Sequence, residues 1–207
     1  MSIRKKILAI SIGPVLVLGV ITLLFILTMV KSSLMDEVQD ALKGTAAATL
    51  AAYDQNTGDY LESTNGDIWK GSYNISKSES LVDRIKENTG MDVTFFYGNK
   101  RIMTSALDKK GNRILGSEAG ERVVNQVIKG KKPFFSTNVS LDGTRNYGYF
   151  IPVYQNGTTD QVIGMVFVGT NKARKDAIVN KILGSIMMAL LVVMLLFQVL
   201  LFLQFQV

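Results

Sequence analysis

Residues 91–106 read MDVTFFYGNKRIMTSA, and this stretch predicts a β-hairpin. Two short runs rich in aromatic and β-branched residues flank a polar turn at residues 98–100, the pattern of antiparallel strands joined by a tight turn. The returning strand opens with Arg101 and carries Thr104 and Ser105. A purely structural strand does not require these polar residues, so the hairpin raises the question of what an arginine does beside aromatic rings.

The sequence around the hairpin predicts a small α+β domain. Five further elements are expected, namely helices at 78–88 and 117–129 and strands at 134–139, 144–154 and 161–169. Gly90 is expected to end the first of these helices, and Ser117 to cap the second. With the hairpin, these elements form a five-stranded antiparallel sheet with helices on one face. Such a sheet leaves a pocket between its strands and helices.

A long helix is predicted before this domain, from Leu34 to about Asn56. Six of its residues recur at alternating steps of three and four: Met35, Val38, Leu42, Thr45, Thr49 and Ala52. This heptad spacing indicates one buried stripe on the helix. Two interpretations of the stripe remain open. It packs against its own domain, or it forms a dimer contact that continues from a membrane helix.

Two uncharged runs predict membrane spans, Ile7–Val30 and Ile182–Val207. Each exceeds the roughly 20 apolar residues needed to cross a bilayer. A cleaved signal peptide is disfavoured, because its apolar region has only about 7–15 residues. The basic residues 4–6 precede the first run, and the positive-inside rule then places the N-terminus in the cytoplasm. Residues 31–181 are therefore expected outside the cytoplasm.

This topology gives a predicted organisation in four segments. They are a cytoplasmic tip and first span at 1–30, a long helix and loop at 31–66, a ligand-binding domain at 67–170, and a helix leading into the second span at 171–207. The chain has a net charge of +6 but no long basic stripe, so nucleic acid is not an expected partner. The basic residues 172–181, just before the second span, are expected to meet lipid head groups.

Several kinds of chemistry are excluded by residue type. The chain has no histidine and no cysteine, so the commonest acid–base and nucleophile pairs cannot be built. It contains no phosphate-binding or nucleophile-elbow glycine motif. The acidic loop 54–65 fails as a calcium site, because Gly58 and Asn65 stand where ligands are required. We therefore expect no catalytic residues, no metal site and no cofactor, and the sequence predicts a binding protein rather than an enzyme.

Three segments between the predicted spans carry a family resemblance: DVTFFYGNKRIMTS at 92–105, GNRILGS at 111–117 and VIGMVFVG at 162–169. In this order they resemble the single-Cache sensor domains of bacterial methyl-accepting chemotaxis proteins, over about residues 69–170. The resemblance implies a PAS-like antiparallel sheet after a long N-terminal helix. It also implies a homodimer that binds a small extracytoplasmic ligand, such as an organic acid or another small polar metabolite.

The resemblance also implies a ligand site on the hairpin, with Arg101 and Thr104 at the mouth of the pocket. Related citrate-sensing domains have an arginine and a histidine at this spacing, whereas this chain has Thr104 in the second position. Together with Tyr147, Tyr149 and Phe150 on a later strand, this departure favours a smaller or partly aromatic ligand over a di- or tricarboxylate. Strand alternation sends Tyr147 and Tyr149 to one face and Phe150 to the other.

Two roles for Arg101 remain open from the sequence. It offers a bidentate fork to a carboxylate, or it is a structural residue, either exposed in the turn or paired with Asp92 or Asp108. Arg113, within the GNRILGS segment, is expected to hold the local turn.

The expected function is that of the ligand-sensing, membrane-anchored portion of a bacterial chemoreceptor, which passes a signal across the membrane. The alternatives are the input half of a sensor histidine kinase or diguanylate cyclase, and a structural membrane protein that does not signal. The resembled family continues into a HAMP linker and a cytoplasmic coiled coil. The chain is therefore expected to be part of a longer receptor, whose cytoplasmic partners act through that absent region.

Overall fold

A computed structural model describes the backbone of residues 3–204 and the side chains of residues 13–200 and 203. The chain divides into two compact units, residues 1–37 with 176–207, and Val38–Lys175. The side chains of the basic residues 4–6, and residues 205–207 of the second predicted span, lie outside the described part.

The first unit consists of the apolar portions of two long helices, α1 (Ile3–Asp54) and α4 (Lys172–Gln204). Segments of both helices are long and apolar enough to cross a membrane, with mean hydropathies of 2.5 for Gly13–Asp54 and 2.6 for Lys172–Leu200. Many large apolar side chains described for the first unit are exposed in the chain itself, among them Leu24, Phe25, Val193 and Leu196. This is the pattern expected of helices whose solvent is lipid.

The second unit is built on a five-stranded antiparallel sheet, which confirms the predicted fold class. Its strands are β4 (Asp92–Tyr97), β5 (Lys100–Thr104), β6 (Phe134–Leu141), β7 (Thr144–Tyr154) and β8 (Val162–Asn171). They lie in the order β5-β4-β8-β7-β6. The predicted hairpin is β4–β5, and its turn begins at Gly98, whose φ of 56° suits a residue without a Cβ. Lys100, expected in the turn, is the first residue of β5.

The domain end of α1 packs on one face of this sheet. Leu42, Ala46, Thr49 and Tyr53 are fully buried, and the Tyr53 ring lies edge-on to the Phe95 ring at 5.2 Å. The heptad stripe therefore packs against its own domain. The buried members Val38, Leu42 and Thr49 are therefore not available to a second copy. Met35, Thr45 and Ala52 are only half-buried, and dimerisation along α1 stays a prediction.

The helix α2 (Glu79–Thr89) follows a 3₁₀ turn and contacts β4 and β5. Gly90 ends it in the left-handed conformation with φ 69°, which confirms the predicted stop. Ser78 precedes the helix, but its hydroxyl does not cap it. The Ser78 Oγ donates to the Ile75 carbonyl (2.7 Å) and is 2.9 Å from the Tyr53 hydroxyl, which ties α2 to α1.

A second, small sheet was not expected from the sequence. It comprises β1 (Tyr60–Glu62), β2 (Ile68–Lys70) and β3 (Tyr73–Asn74), all antiparallel, whereas residues 58–66 read as a polar loop. The strands are too short to show an alternating pattern. Gln155 holds the first strand, because its side-chain amide accepts from the Tyr60 N–H at 2.7 Å and donates to the Tyr60 carbonyl at 3.0 Å.

The helix predicted from Ser117 begins later and is irregular. A single turn, α3 (Glu121–Val123), continues into a π-helical segment, Val124–Lys129. Residues 117–119 instead run beside the hairpin, where the Arg101 N–H donates to the Ser117 carbonyl at 2.9 Å. The π-helical segment packs with Phe96, a neighbour of Phe95 in β4. Adjacent strand residues point to opposite faces, so helices cover both faces of the sheet and the one-face prediction is wrong.

Candidate ligand-binding site

The sheet face opposite α1 carries an aromatic floor, which we define as Phe96, Phe150 and Phe167. All three side chains are buried in one cluster with residues of the π-helical segment. The Phe150 and Phe167 rings lie 4.7 Å apart. Two glycines flank Phe167: a Cβ added at Gly148 would lie 2.5 Å from its ring, and one at Gly169 would lie 2.4 Å from it. The Phe167 ring can therefore occupy this position only because both neighbouring residues are glycines without a side chain.

A cavity of about 520 Å³ lies on this floor, within the 300–1,000 Å³ typical of small-molecule sites. Its walls come from β6 and from the segment that leads into α3. Besides the floor, the lining residues are Arg101, Glu118, Ala119, Gly120, Arg122, Val123, Phe134, Phe135, Ser136, Thr137, Asn138, Val139 and Ser140. The cavity thus combines an aromatic interior with hydroxyl, amide and charged groups. Among the described residues, no three His, Asp or Glu side chains come together to hold a metal.

Arg101 is the buried charge of this cavity, with only 7% of its surface exposed. Its Nη1 donates to the Ile114 carbonyl at 3.3 Å, and its guanidinium carbon lies 5.4 Å from the centre of the Phe96 ring. Its Nε is buried and has no hydrogen-bond partner within the described part of the chain. Burial lowers the pKa of Arg101 below its usual value. The negative charge of Asp92 acts in the opposite direction, but its effect is smaller.

Neither structural interpretation of Arg101 agrees with these contacts. The side chain is buried, so it is not an exposed turn residue. Asp92 forms an ion pair with Lys86 at 2.8 Å and accepts from the Ser105 hydroxyl at 3.1 Å. Asp108 accepts from the backbone N–H groups of Lys110 and Asn112, each at 2.8 Å, and such contacts, chiefly that of Asn112, lower the pKa of Asp108. Both carboxylates are therefore engaged elsewhere.

A β-bulge places Arg101 in the cavity. Phe95 lies opposite Met103 but Phe96 lies opposite Arg101, so Ile102 is the extra residue on β5. Residues directly opposite each other share a face, and Arg101 therefore shares the face of Phe96. In a regular ladder, Arg101 would lie opposite Tyr97 and point to the α1 face.

The structure brings together two of the five predicted site residues, Arg101 and Phe150. Thr104 is fully buried and does not line the cavity. Its hydroxyl donates to the Val93 carbonyl, accepts from the Ala106 N–H and lies 2.7 Å from the Thr94 hydroxyl.

Tyr147 and Tyr149 do not line the cavity either. They lie on the opposite side of β7 from Phe150, as strand alternation predicted. The Tyr147 ring stacks on Phe135 with a 6.3 Å separation between the ring centres, and the Lys172 Nζ lies 5.0 Å from the centre of the Tyr147 ring.

Comparison with known families identifies this arrangement. Residues 73–182 match the family described as single cache domain 3. The chain belongs to the single Cache domain family. The matched region contains the five-stranded sheet, the β-bulge that places Arg101 opposite Phe96, and every residue that lines the cavity. It is flanked by the two apolar helices, an arrangement that fits a two-pass membrane protein.

Solved sensor structures share this Cache fold at low sequence identity. The sensory domain of the Campylobacter jejuni chemoreceptor Tlp3 has a TM-score of 0.52 and 11% identity, over 82% of this chain and 66% of that one. Its isoleucine-bound structure has a TM-score of 0.53 and 12% identity, over 82% and 64%. An extracellular ligand-binding receptor from Desulfohalobium retbaense has a TM-score of 0.51 and 14% identity, over 74% and 26%. No curated protein sequence matches the chain.

Several lining residues of the Cache cavity escaped prediction from the sequence. Arg122, from α3, places its guanidinium carbon 5.3 Å from the centre of the Phe134 ring, and Glu118 lies beside the hairpin. A second irregularity, between Ser136 and Val139 in β6, brings consecutive polar residues to the rim. The adjacent Phe134 and Phe135 were the available signal, because two consecutive large aromatics do not fit a strand with only one buried face.

Proposed function

We propose that this chain is the sensing portion of a bacterial chemoreceptor and binds a small extracytoplasmic organic anion through Arg101. The observation that carries the proposal is a buried guanidinium with an unpartnered Nε in a cavity of small-molecule size. A buried charge without a partner lowers the stability of a fold. Folded proteins keep such unfavourable features mainly at functional sites, where a bound ligand supplies the missing contact.

The geometry of a guanidinium specifies the missing contact. A carboxylate that approaches Nε side-on also reaches the adjacent Nη nitrogen, which gives two parallel charge-assisted hydrogen bonds. The Ile114 carbonyl on Nη1 and the Phe96 ring fix the orientation of the side chain. Arg101 is therefore preorganised for a planar anion. Little rotamer entropy remains to be lost when the ligand arrives.

The setting of the cavity supports a sensor of extracytoplasmic ligands. Both candidate spans flank the Cache domain, and the structurally similar Campylobacter receptor has been solved with small amino acids bound. We infer that residues 31–181 lie outside the cytoplasm and that two copies associate in the membrane. Occupation of the cavity is then the input that a receptor passes through α4.

The proposal is tested by thermal unfolding of the purified chain in lipid nanodiscs, against a panel of organic acids, amino acids and nucleobases. A bound acid at 100 times its Kd should stabilise the chain by about 2.7 kcal/mol. At the same ligand concentration, Arg101→Ala should reduce that stabilisation to about 0.4–1.4 kcal/mol, since it should weaken binding roughly ten- to a hundredfold. Arg84→Ala, which removes an exposed arginine of α2, should retain it. A panel with no active acid, or an undiminished shift in Arg101→Ala, would contradict the proposal.

A further inference from the structure

The charges of the cavity are distributed unevenly between its interior and its rim. Arg101 is buried, whereas the other two charged lining residues, Glu118 and Arg122, are exposed. Arg122 is already placed over the Phe134 ring. The interior therefore provides one cationic fork. A second carboxylate held inside would face phenyl rings, and burying an unpaired charge is unfavourable.

The interior also lacks a carboxylate that could pair with a cation. Glu118 is the one carboxylate among the lining residues, and it is exposed at the rim. An α-ammonium lies next to its own carboxylate, so a ligand whose carboxylate binds Arg101 would bring that ammonium into the interior. The ammonium would lose its water there without gaining an acid partner. This distribution of charge disfavours amino acids.

The remaining surface of the interior is aromatic. Phe134 is half-buried at the cavity wall, and its ring lies 6.4 Å from that of Phe150, at an interplanar angle of 30°. Together with the aromatic floor, it surrounds the space next to Arg101 with ring faces and edges. Aromatic rings pack favourably in tilted and edge-on arrangements at such separations. A flat apolar group is the ligand body that this surface fits.

From these three observations we propose that the ligand is a monocarboxylate with an aromatic body and no α-ammonium group. Its acid group pairs with Arg101, and its ring lies between Phe134 and the aromatic floor. The inference rests on the proposed function, since it assumes that Arg101 binds the acid. The proposed ligand class differs from the amino acids valine and isoleucine, with which the structurally similar Campylobacter receptor was solved.

Four compounds related to phenylacetate test each feature of the ligand by titration calorimetry on the full chain in nanodiscs. Phenylglycine adds an ammonium at the α-carbon, phenylmalonate adds a second carboxylate there, 2-phenylethanol removes the acid, and acetate removes the ring. Phenylacetate should bind at least tenfold more tightly than each. Arg101→Ala should weaken it by roughly ten- to a hundredfold, and Phe134→Leu by roughly two- to tenfold. Arg84→Ala should leave it unchanged.

The outcomes distinguish this inference from the proposed function. If phenylglycine or phenylmalonate binds as tightly as phenylacetate and Arg101→Ala removes that binding, the ligand class is wrong while the sensor assignment stands. Binding of 2-phenylethanol at the affinity of phenylacetate overturns the acid group and the role of Arg101 together. If neither these acids nor the wider panel binds, both proposals fail.

Discussion

At the scale of single residues, Arg101 is buried and Arg113 is half-buried, and the two side chains have different partners. The Arg113 Nη1 donates to Asp83 at 2.8 Å and to the Thr104 carbonyl at 2.7 Å, so its charge is paired within the fold. The side chain thus ties its segment to α2 and to the end of β5, and a role in the local turn stays a prediction. Arg101 has no such carboxylate partner among the described residues. Arg113 is therefore expected to stabilise the unliganded domain, whereas the buried charge of Arg101 is not.

This difference predicts opposite effects of the same substitution. Arg101→Met should not lower the free energy of unfolding of the unliganded chain, because an apolar group replaces a desolvated charge. We expect that free energy to stay unchanged or to rise by about 1–4 kcal/mol. Arg113→Met should lower that free energy, because it leaves Asp83 and the Thr104 carbonyl without their donor. Denaturant unfolding in detergent measures both. Equal losses in the two variants would show that Arg101 is also structural.

The Arg113–Asp83 pair predicts a pH dependence of stability. The hydrogen bond from Arg113, followed by its charge, lowers the pKa of Asp83 below the ordinary 3.8. The carboxylate therefore stabilises the fold at pH values above 3.8, and this contribution is lost as the pH falls through the lower folded-state pKa. The Asp83 side chain is 42% exposed, so solvent screening limits the effect to about 1 kcal/mol.

Asp83→Asn should therefore be less stable than the parent chain at pH 7, and the difference should shrink towards zero in strong acid. Unfolding curves between pH 7 and pH 2 measure this difference. Asp160→Asn, at an exposed loop aspartate, is the matched control. A difference that is constant with pH would show that the loss comes from packing rather than from charge.

The sequence brought attention to Arg101 but could not reveal its surroundings. Arg101 is buried because the extra residue Ile102 moves it to the other face of the sheet. The alternation of apolar and polar residues in the sequence does not show where such a bulge occurs. Thr104 stays a predicted ligand residue, although its hydroxyl already bonds to the Val93 carbonyl and the Ala106 N–H. Those bonds follow from the strand register, which is not visible in the sequence.

At the scale of elements, the buried stripe of α1 carries the clearest expectation. Leu42 is fully buried, whereas Leu61 in β1 is 61% exposed. Leu42→Ala should lower the free energy of unfolding by about 2–5 kcal/mol through lost burial and the cavity left behind. Leu61→Ala should change it by less than about 0.5 kcal/mol. Thermal and denaturant unfolding compare them, and similar losses would mean that α1 does not pack as described.

Elements with a clear period were predictable, and those without one were not. The helix α2 and the strands of the main sheet follow from apolar spacing, Gly90 and the turn residues, so the core sheet was predicted nearly strand for strand. The small sheet β1–β3 was missed because its strands have only two or three residues and because its first strand is fixed by hydrogen bonds between Tyr60 and Gln155, a residue far away in the sequence. The π-helical segment has no sequence pattern distinct from that of an α-helix.

At the scale of the whole molecule, the membrane topology can be tested directly because the chain has no cysteine. Thr64→Cys places a thiol in the exposed β1–β2 turn. A membrane-impermeant maleimide should label it in intact cells, since residues 31–181 are proposed to lie outside the cytoplasm. Labelling that requires permeabilised cells would reverse the proposed orientation.

Dimerisation is expected on the outer face of α1, since the inner stripe is occupied. Ala51 is exposed and lies half a turn around the helix from Leu42, because nine residues at 3.6 per turn make two and a half turns. A cysteine at Ala51 should therefore form an intermolecular disulfide in membranes, while cysteines at Leu42 and Thr64 should not. Equal yields at Ala51 and Thr64 would indicate random collision rather than a dimer along α1.

The glycines beside Phe167 have a consequence for how such a receptor diversifies. Neither Gly148 nor Gly169 lines the cavity, yet each borders the ring that forms part of its floor. Neither has a positive φ, so the backbone at both positions is open to alanine. The obstacle at Gly169 is the Phe167 ring, and at Gly148 it is that ring together with the Val139 side chain, 2.8 Å from an added Cβ. One added methyl group would push that ring and reshape the recognition surface from behind. If the cavity binds a ligand as proposed, substitutions at Gly148 or Gly169 would thus change which molecules fit without touching the bound molecule.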